Sequence, residues 1–471
     1  MAEPKSRRQR KFAPRSRTGC LTCRTRRKRC DLRHPRCDNC ARLNLTCEWQ
    51  QERNIVSDNP ANCSSPSPEI QVTGPLRSSI DFWSFLSSDL DEASEKKHLL
   101  QYYVEAYVPS VSVATHATNY YTSLYVPWAS KIHGMLDVLL AISSAQLARR
   151  VVDPERAKYL KAVSTRHERR CYAFIKERVS QSGQPHGDVY QVIAAILILV
   201  GLEALNGSTS TRWISQLKCA KRLLNNIPPE QSIKDCVEVD SLHRHFTYHF
   251  ASASLMARVA PTSATLSIEE DPSYNSLSLL PMTTIDPLMG VSYQLCDLIA
   301  RIQYIKSHDP AFPHITEASF QAIESAIMTW SYDNPFSLGV DLTIALDLIA
   351  LAEAYRLAAL IQLYRTSAAH TSRIPDCASR AMDFVARIPP GSPAESSLLY
   401  PMFLAGAELE DAKATEICSR RLNEIQGRNR YENVGMVQKV LKEVWCSKAE
   451  TGQQRDWEEV LREWNWSFTL G

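Results

Sequence analysis

No feature of this chain restricts its folding more than six cysteines at positions 20, 23, 30, 37, 40 and 47. They spell C-x2-C-x6-C-x6-C-x2-C-x6-C, one half-motif written twice. A stretch this short cannot build its own hydrophobic core, so something must staple it. Zinc prefers four tetrahedral ligands, and thiolates are among its best. Two separate four-cysteine sites need eight cysteines. Six suffice if two of them bridge, because six thiolates then supply eight bonds. Each C-x2-C turn offers two sulfurs to one metal, and the six-residue spacer, nearly two helical turns, returns a third. Pro35 suits the loop that reverses the chain between the halves. Six thiolates around two divalent ions carry a formal −2, which neighbouring Arg and Lys compensate while keeping the sulfurs deprotonated.

The rival reading of clustered cysteines is a disulfide knot, which needs an oxidising compartment. The chain opens Met-Ala-Glu-Pro-Lys-Ser-Arg-Arg-Gln-Arg-Lys, with no apolar stretch of a secretory signal behind it. The longest uncharged apolar run is Val192 to Leu202, eleven residues, where a bilayer span needs about 20. The expectation is a chain without a membrane segment, in a reducing compartment, whose cysteine cluster binds metal. The glycosylation sequons at Asn44, Asn62, Asn206 and Asn465 are then coincidental.

Charge is distributed unevenly. The chain carries +3 overall, but residues 1–49 hold fifteen Lys/Arg and four Asp/Glu, a local +11 that leaves −8 for the rest. A basic head on an acidic body calls for a polyanionic partner at the head. Within the cluster, Arg24, Arg26, Arg27, Lys28 and Arg29 put five cations into the first six-residue spacer, and the second spacer holds only Arg42. The first half therefore faces nucleic acid and the second supports it. Residues 1–19 form a basic arm suited to nuclear import or non-specific DNA attraction. Residues 48–78 read as a flexible linker broken by Asn-Pro, Ser-Pro-Ser-Pro and Gly-Pro.

From residue 79 to 471 the pattern is helical. Leu99, Tyr103 and Ala106 share a face at i, i+4 and i+7, and so do Trp213, Leu217, Ala220 and Leu224. Residues 340–364 read as a largely buried helix, and Trp457 and Trp464 as one core-facing stripe. Proline breaks separate the segments, strands are few, and no fixed repeat supports a solenoid. The predicted fold is all-α: a small N-terminal binuclear zinc cluster joined by a flexible linker to one large helical domain. Cys63, Cys171, Cys219, Cys236, Cys296, Cys377, Cys418 and Cys446 lack ligand spacing and read as ordinary thiols. His243, His245 and His249 match no zinc pattern and read as a polar helix face. No phosphate loop, dinucleotide fingerprint or nucleophile elbow supports an enzyme.

Residues 20–47 resemble the fungal Zn(II)2Cys6 binuclear zinc-cluster transcription factors in the cysteine spacings, Pro35 and the basic first spacer. The resemblance implies two Zn2+ ions with Cys20 and Cys37 bridging. One ion would be held by Cys20, Cys23, Cys30 and Cys37, the other by Cys20, Cys37, Cys40 and Cys47. It also implies a short helix in the major groove of double-stranded DNA over a CGG-like GC-rich triplet. The residues at the family's base-reading positions are Arg26 and Arg27, where many members carry Lys, so the particular triplet stays open. Arginine grips guanine O6 and N7 with two hydrogen bonds. Arg24, Lys28, Arg29, Arg33 and Arg36 read as phosphate clamps, and phosphate contact is also the plainer alternative for Arg26 and Arg27. More loosely, His98-Leu-Leu-Gln-Tyr-Tyr, Trp213 and the flanks Arg17-Thr-Gly-Cys-Leu-Thr-Cys and Cys47-Glu-Trp are similar to one subgroup of fungal regulators with a helical regulatory domain.

The expected function is a nuclear, sequence-specific regulator of RNA polymerase II genes that works with the transcription machinery or co-regulators. The alternative is a zinc-stabilised adaptor that binds RNA or protein without reading DNA sequence. No leucine heptad follows the cluster, so a homodimer would have to form through the helical domain.

Overall fold

The computed structural model describes residues 20, 30–33, 37–42, 90–113, 119–180, 187–227, 237–257, 283–306, 317–332, 340–451 and 455–471. The chain divides into two compact units, 1–73 and 74–471. In the first, the described residues contain one short helix, α1 (Asp38–Arg42).

The second unit is helical. It runs α2 (Leu90–Tyr102), α3 (His133–Ala148), α4 (Pro154–Ser180), α5 (Gly187–Asn206), α6 (Arg212–Asn225), α7 (Val237–Ala257) and α8 (Tyr293–Lys306). It continues with α9 (Glu317–Met328), α10 (Leu342–Tyr364), α11 (Ile374–Arg387), α12 (Leu399–Ala407), α13 (Ala412–Asn429), α14 (Glu432–Thr451) and α15 (Trp457–Trp464). Among the described residues there is no β-strand, only an isolated bridge between Ile285 and Ser292.

Helices α3, α5, α10 and α12 are apolar around much of their circumference and form the interior, as all-round apolarity requires. Helices α4, α6 and α11 bury one stripe each. In α4 the stripe is Leu160, Val163, His167 and Cys171; in α11 it is Ile374, Cys377, Ala378, Ala381 and Val385. Both follow the spacing of one helix face. The α6 face expected from sequence is buried through Trp213, Leu217, Ala220 and Leu224. Helices α3 and α4 pack as a pair, as do α10 and α11, while α5 touches α3, α4, α6, α7 and α14.

Three expectations change. First, the face that starts at Leu99 and Tyr103 continues through buried Tyr107 rather than half-buried Ala106. Residues Tyr103–Tyr107 form a π-turn, whose extra residue shifts the register and stacks the two tyrosine rings 5.2 Å apart. Second, α5 extends the Val192–Leu202 run: eighteen residues, Val189–Asn206, are long and apolar enough to cross a bilayer by length and composition, with 78% of them buried inside the protein. Packing against five other helices accounts for that apolarity. Third, His245 and His249 are not on a polar face. Both are buried, because the i, i+4 spacing turns them together into a tyrosine cluster. At the end of the chain, Trp457 is buried with Val460 and Leu461, and Trp464 is half-buried.

Candidate metal centre and nucleic-acid interface

The local order around α1 is set by two Cys-Asp pairs, Cys30-Asp31 and Cys37-Asp38. The Asp31 carboxylate accepts the backbone N–H of Asp38 at 3.1 Å, at the first residue of α1. The Cys37 Sγ accepts the N–H of Cys40 at 3.4 Å, and the Cys37 carbonyl accepts the N–H of Ala41 at 2.9 Å. Cys37 thus stands where an N-cap residue stands, with sulfur in place of the usual oxygen. The positive end of the helix favours the sulfur as thiolate. Leu32, with φ 64°, adopts the left-handed conformation that bends the chain between Cys30 and Cys37. Sequence reasoning passed over Asp31 and Asp38; the repeated Cys-Asp pair was the available signal.

Cys20, Cys37 and Cys40 are fully buried against one another, with Cys30 packed beside them. The Cys20 Sγ lies 3.7 Å from the Cys37 Sγ and 3.8 Å from the Cys40 Sγ. The ligand atoms of Cys20, Cys30 and Cys37 all fall within 4.8 Å of one another. The Cys30 Sγ also accepts the N–H of Cys20 at 3.5 Å. A disulfide would bring two sulfurs to about 2.05 Å. Four sulfurs bound to one zinc at about 2.3 Å stand about 3.8 Å apart along a tetrahedral edge. The observed separations therefore fit metal thiolates, and the donor set fits zinc. Cys23 and Cys47 lie outside the described residues.

Of the seven residues expected to contact DNA, Arg33 is described; Arg24, Arg26, Arg27, Lys28, Arg29 and Arg36 lie outside the described residues. Arg33 Nη1 pairs with Asp38 Oδ2 at 3.0 Å, and both side chains are exposed. An exposed pair of this kind contributes at most about 1 kcal/mol, so a phosphate competes readily for the guanidinium.

The remaining cysteines behave differently. Cys171, Cys296, Cys377 and Cys418 are buried one by one in the helical unit, and burial raises each thiol above its ordinary pKa, that of Cys418 to about 12. Such thiols pack as small apolar groups. Cys219 is half-buried, Cys446 is exposed, and Cys63 and Cys236 lie outside the described residues.

A six-cysteine metal module followed by a helical unit defines a class of regulatory protein, and the comparisons agree. The profile of the fungal specific transcription factor domain matches residues 98–471, most of the chain, and the chain belongs to that family. The profile of the fungal Zn(2)-Cys(6) binuclear cluster domain, a module that binds two zinc ions, matches residues 18–54. Among curated relatives, zinc cluster transcription factor CZF1 of Candida albicans is 63% identical over 35 residues, 7% of this chain and 9% of that protein. Transcriptional regulatory protein pro1 of Neurospora crassa is 57% identical over 37 residues, 8% of this chain and 5% of that protein. Arginine metabolism regulation protein II of Saccharomyces cerevisiae is 34% identical over 79 residues, 14% of this chain and 9% of that protein. These alignments span less than a tenth of each relative. No solved structure matches.

Proposed function

We propose that this protein is a sequence-specific, DNA-binding regulator of RNA polymerase II transcription, acting in the nucleus and not as an enzyme. The observation that carries the reading is the sulfur geometry at Cys20, Cys37 and Cys40, whose 3.7 and 3.8 Å separations equal a zinc-thiolate edge. Cys20, Cys23, Cys30 and Cys37 would hold one zinc, and Cys20, Cys37, Cys40 and Cys47 the other, with Cys20 and Cys37 shared. Zinc supplies the cross-links that replace a hydrophobic core in so short a segment.

The protein's own residues then do the recognition. Arg26 and Arg27 read guanine edges in the major groove. Arg24, Lys28, Arg29, Arg33 and Arg36 contact phosphates and fix the register, and the basic arm at 1–19 adds sequence-independent attraction. Domain limits of 20–47 for the cluster, 48–78 for the linker and 79–471 for the regulatory body accompany this reading. The acidic body passes the output to co-regulators or the transcription machinery, and a homodimer would form through it. The curated relatives named as transcription factors and regulators support the same assignment.

Selection of bound sites from random duplex DNA by the zinc-loaded full chain tests the proposal. The expected result is enrichment of a GC-rich triplet and binding that weakens linearly in log–log form with added salt. Absence of any enriched sequence, with RNA or protein capture intact, would replace it with the adaptor reading.

A further inference from the structure

Helix α4 is a basic element in an otherwise acidic body. Its 27 residues carry eight Lys/Arg and three Asp/Glu, a net +5 that leaves −13 for the other residues from 50 to 471. The charge is not spread evenly around the helix. The inner stripe, Leu160, Val163, His167 and Cys171, is buried. Lys158, Lys161, Arg166, Arg169, Arg170 and Lys176 are exposed on the outside. Lys158 and Lys176 are eighteen residues apart. That is five full turns, so they stand on one line about 27 Å long. Lys161 and Arg169 flank this line, and Arg166 and Arg170 widen it to one side.

The other charges of α4 are engaged or peripheral. Arg156 pairs with Glu95 at 3.8 Å, Glu168 pairs with Arg212 at 3.2 Å, and the Arg178 guanidinium stands 5.6 Å from the centre of the Phe174 ring. Glu155 and Glu177 lie in the first and last turns. None of the six outer cations makes an ion pair among the described residues. Lys158 with Lys161, and Arg166 with Arg169 and Arg170, are three or four positions apart, spacings that set like charges side by side and destabilise a helix. An anionic partner offsets those repulsions.

The uncharged residues between the cations identify the partner. They are Ala162, Thr165 and Ala173, all exposed and small. A protein partner would be held by large aromatic or aliphatic anchors near the middle of the contact. On α4 the nearest such group, Tyr159, lies at the end of the face and donates its hydroxyl to Glu95 at 2.9 Å. Small residues let a helix come close to a phosphate ridge, while Lys and Arg supply the contacts. One strand of duplex DNA presents a charge about every 3.4 Å along its axis, a continuous target for a straight face of cations.

We propose that the outer face of α4 is a second DNA-contacting surface, which binds the phosphate backbone of a duplex without reading its sequence. This rests on the reading of the chain as a DNA-binding regulator. A body of net negative charge is repelled by DNA, so concentrating its cations on one face selects how it meets the duplex. Once the zinc cluster holds the chain on DNA, that face meets the same duplex at a high effective concentration, and contacts too weak to bind alone add to affinity.

The test measures fluorescence anisotropy of a mixed-sequence duplex of about 40 base pairs with the zinc-loaded full chain at several salt concentrations. One variant combines Lys158→Gln, Arg166→Gln, Arg169→Gln and Arg170→Gln. A second removes the same charge from exposed positions on α13 and α14, as Lys413→Gln, Arg420→Gln, Lys439→Gln and Lys442→Gln. All eight side chains are exposed, so both variants should keep the helical circular dichroism of the parent. The α4 variant should lower the log–log salt slope by about 3–4 and weaken binding about tenfold or more near 0.1 M salt, and the α13–α14 variant should shift the slope by less than about 1. The α4 effect should persist in a Cys20→Ala background, which lacks an intact cluster, so failure of sequence reading by the cluster and failure of the α4 face are separate outcomes. Equal losses in the two variants would reduce the effect to net charge and overturn the proposal. An unchanged slope in the α4 variant overturns it too and assigns the face to an acidic protein partner.

Discussion

The Sγ of Cys20 lies 3.7 Å from the Sγ of Cys37, across seventeen residues of chain. A sulfur shared between two metals belongs to both coordination spheres, so Cys20→Ala or Cys37→Ala should strip ligands from both. Elemental analysis of either variant should fall from two zinc equivalents towards none, and DNA binding should be lost. Cys30→Ala removes a ligand from one ion and should retain about one equivalent. Far-UV circular dichroism should scarcely change in all three, because the helical unit has its own core. A Cys20 or Cys37 variant that keeps two zinc equivalents would exclude bridging.

Arg27 and Arg33 should separate by the kind of loss they cause. Arg27→Ala should cost about 1–3 kcal/mol on the preferred site and relax preference at one base pair. Arg33→Ala should weaken all sequences alike and reduce the log–log salt slope by about 1, the signature of one lost phosphate contact. Asp38→Asn, which releases Arg33 from its exposed ion pair, should strengthen binding modestly. Binding isotherms at several salt concentrations on matched and single-mismatch duplexes decide each case.

How far the sequence could be read depends on how local the determining physics is. The cysteine spacing is a local code, since ligand separation along the chain sets which sulfurs converge. The helix face at Trp213 was legible for the same reason: one period, one buried stripe. The π-turn at Tyr103–Tyr107 was not legible, because its register shift is settled by the aromatic packing of Tyr107 against Tyr103 and Tyr121. His245 and His249 were misjudged because a histidine's surroundings are tertiary. Tyr121 and Tyr125 stand 124 and 120 residues from His245 along the chain. The α5 apolar run, read as short, gains its full length only when the helix around it is seen.

Glu395 is the buried hub of a four-residue ion cluster with Arg421, Arg428 and the more exposed Glu424. Its carboxylate, 2% exposed, receives Arg421 from 3.0 Å and Arg428 through two nitrogens, tying the 393–397 turn to α13. Arg421 also donates to the Ile388 carbonyl at 2.9 Å. Glu395→Ala would leave two guanidinium groups, one of them largely buried, with only the more distant Glu424 at 3.9 Å as a shared partner. The expected loss is about 3–5 kcal/mol, read as a lower urea midpoint of the helical signal. Charge matters here beyond shape, so the isosteric Glu395→Gln should recover only part of it.

Two buried histidines give the helical unit a pH dependence whose sign is fixed by geometry. Burial lowers the pKa of His249 to about 4 and holds His245 well below its ordinary value, with His249 itself adding to the effect on His245. Tyr120, Tyr121, Tyr125 and Tyr248 pack around them, all neutral in this range, and a backbone hydrogen bond from Gly471 opposes burial at His249 without reversing it. In the unfolded chain a histidine protonates near pH 6.5, so below that pH the unfolded state binds more protons than the folded one. Stability is therefore fully present above about pH 6.5 and is lost as pH falls towards the folded values. For His249 alone, lowering the pH from about 7 to 4 removes about 3 kcal/mol, with His245 adding to it. Urea unfolding followed by far-UV circular dichroism at pH 7, 6 and 5 measures this loss. His249→Gln should flatten the curve by about one proton's worth of slope between pH 6 and 5. An unchanged slope in that variant would show that the imidazole is protonated inside the fold.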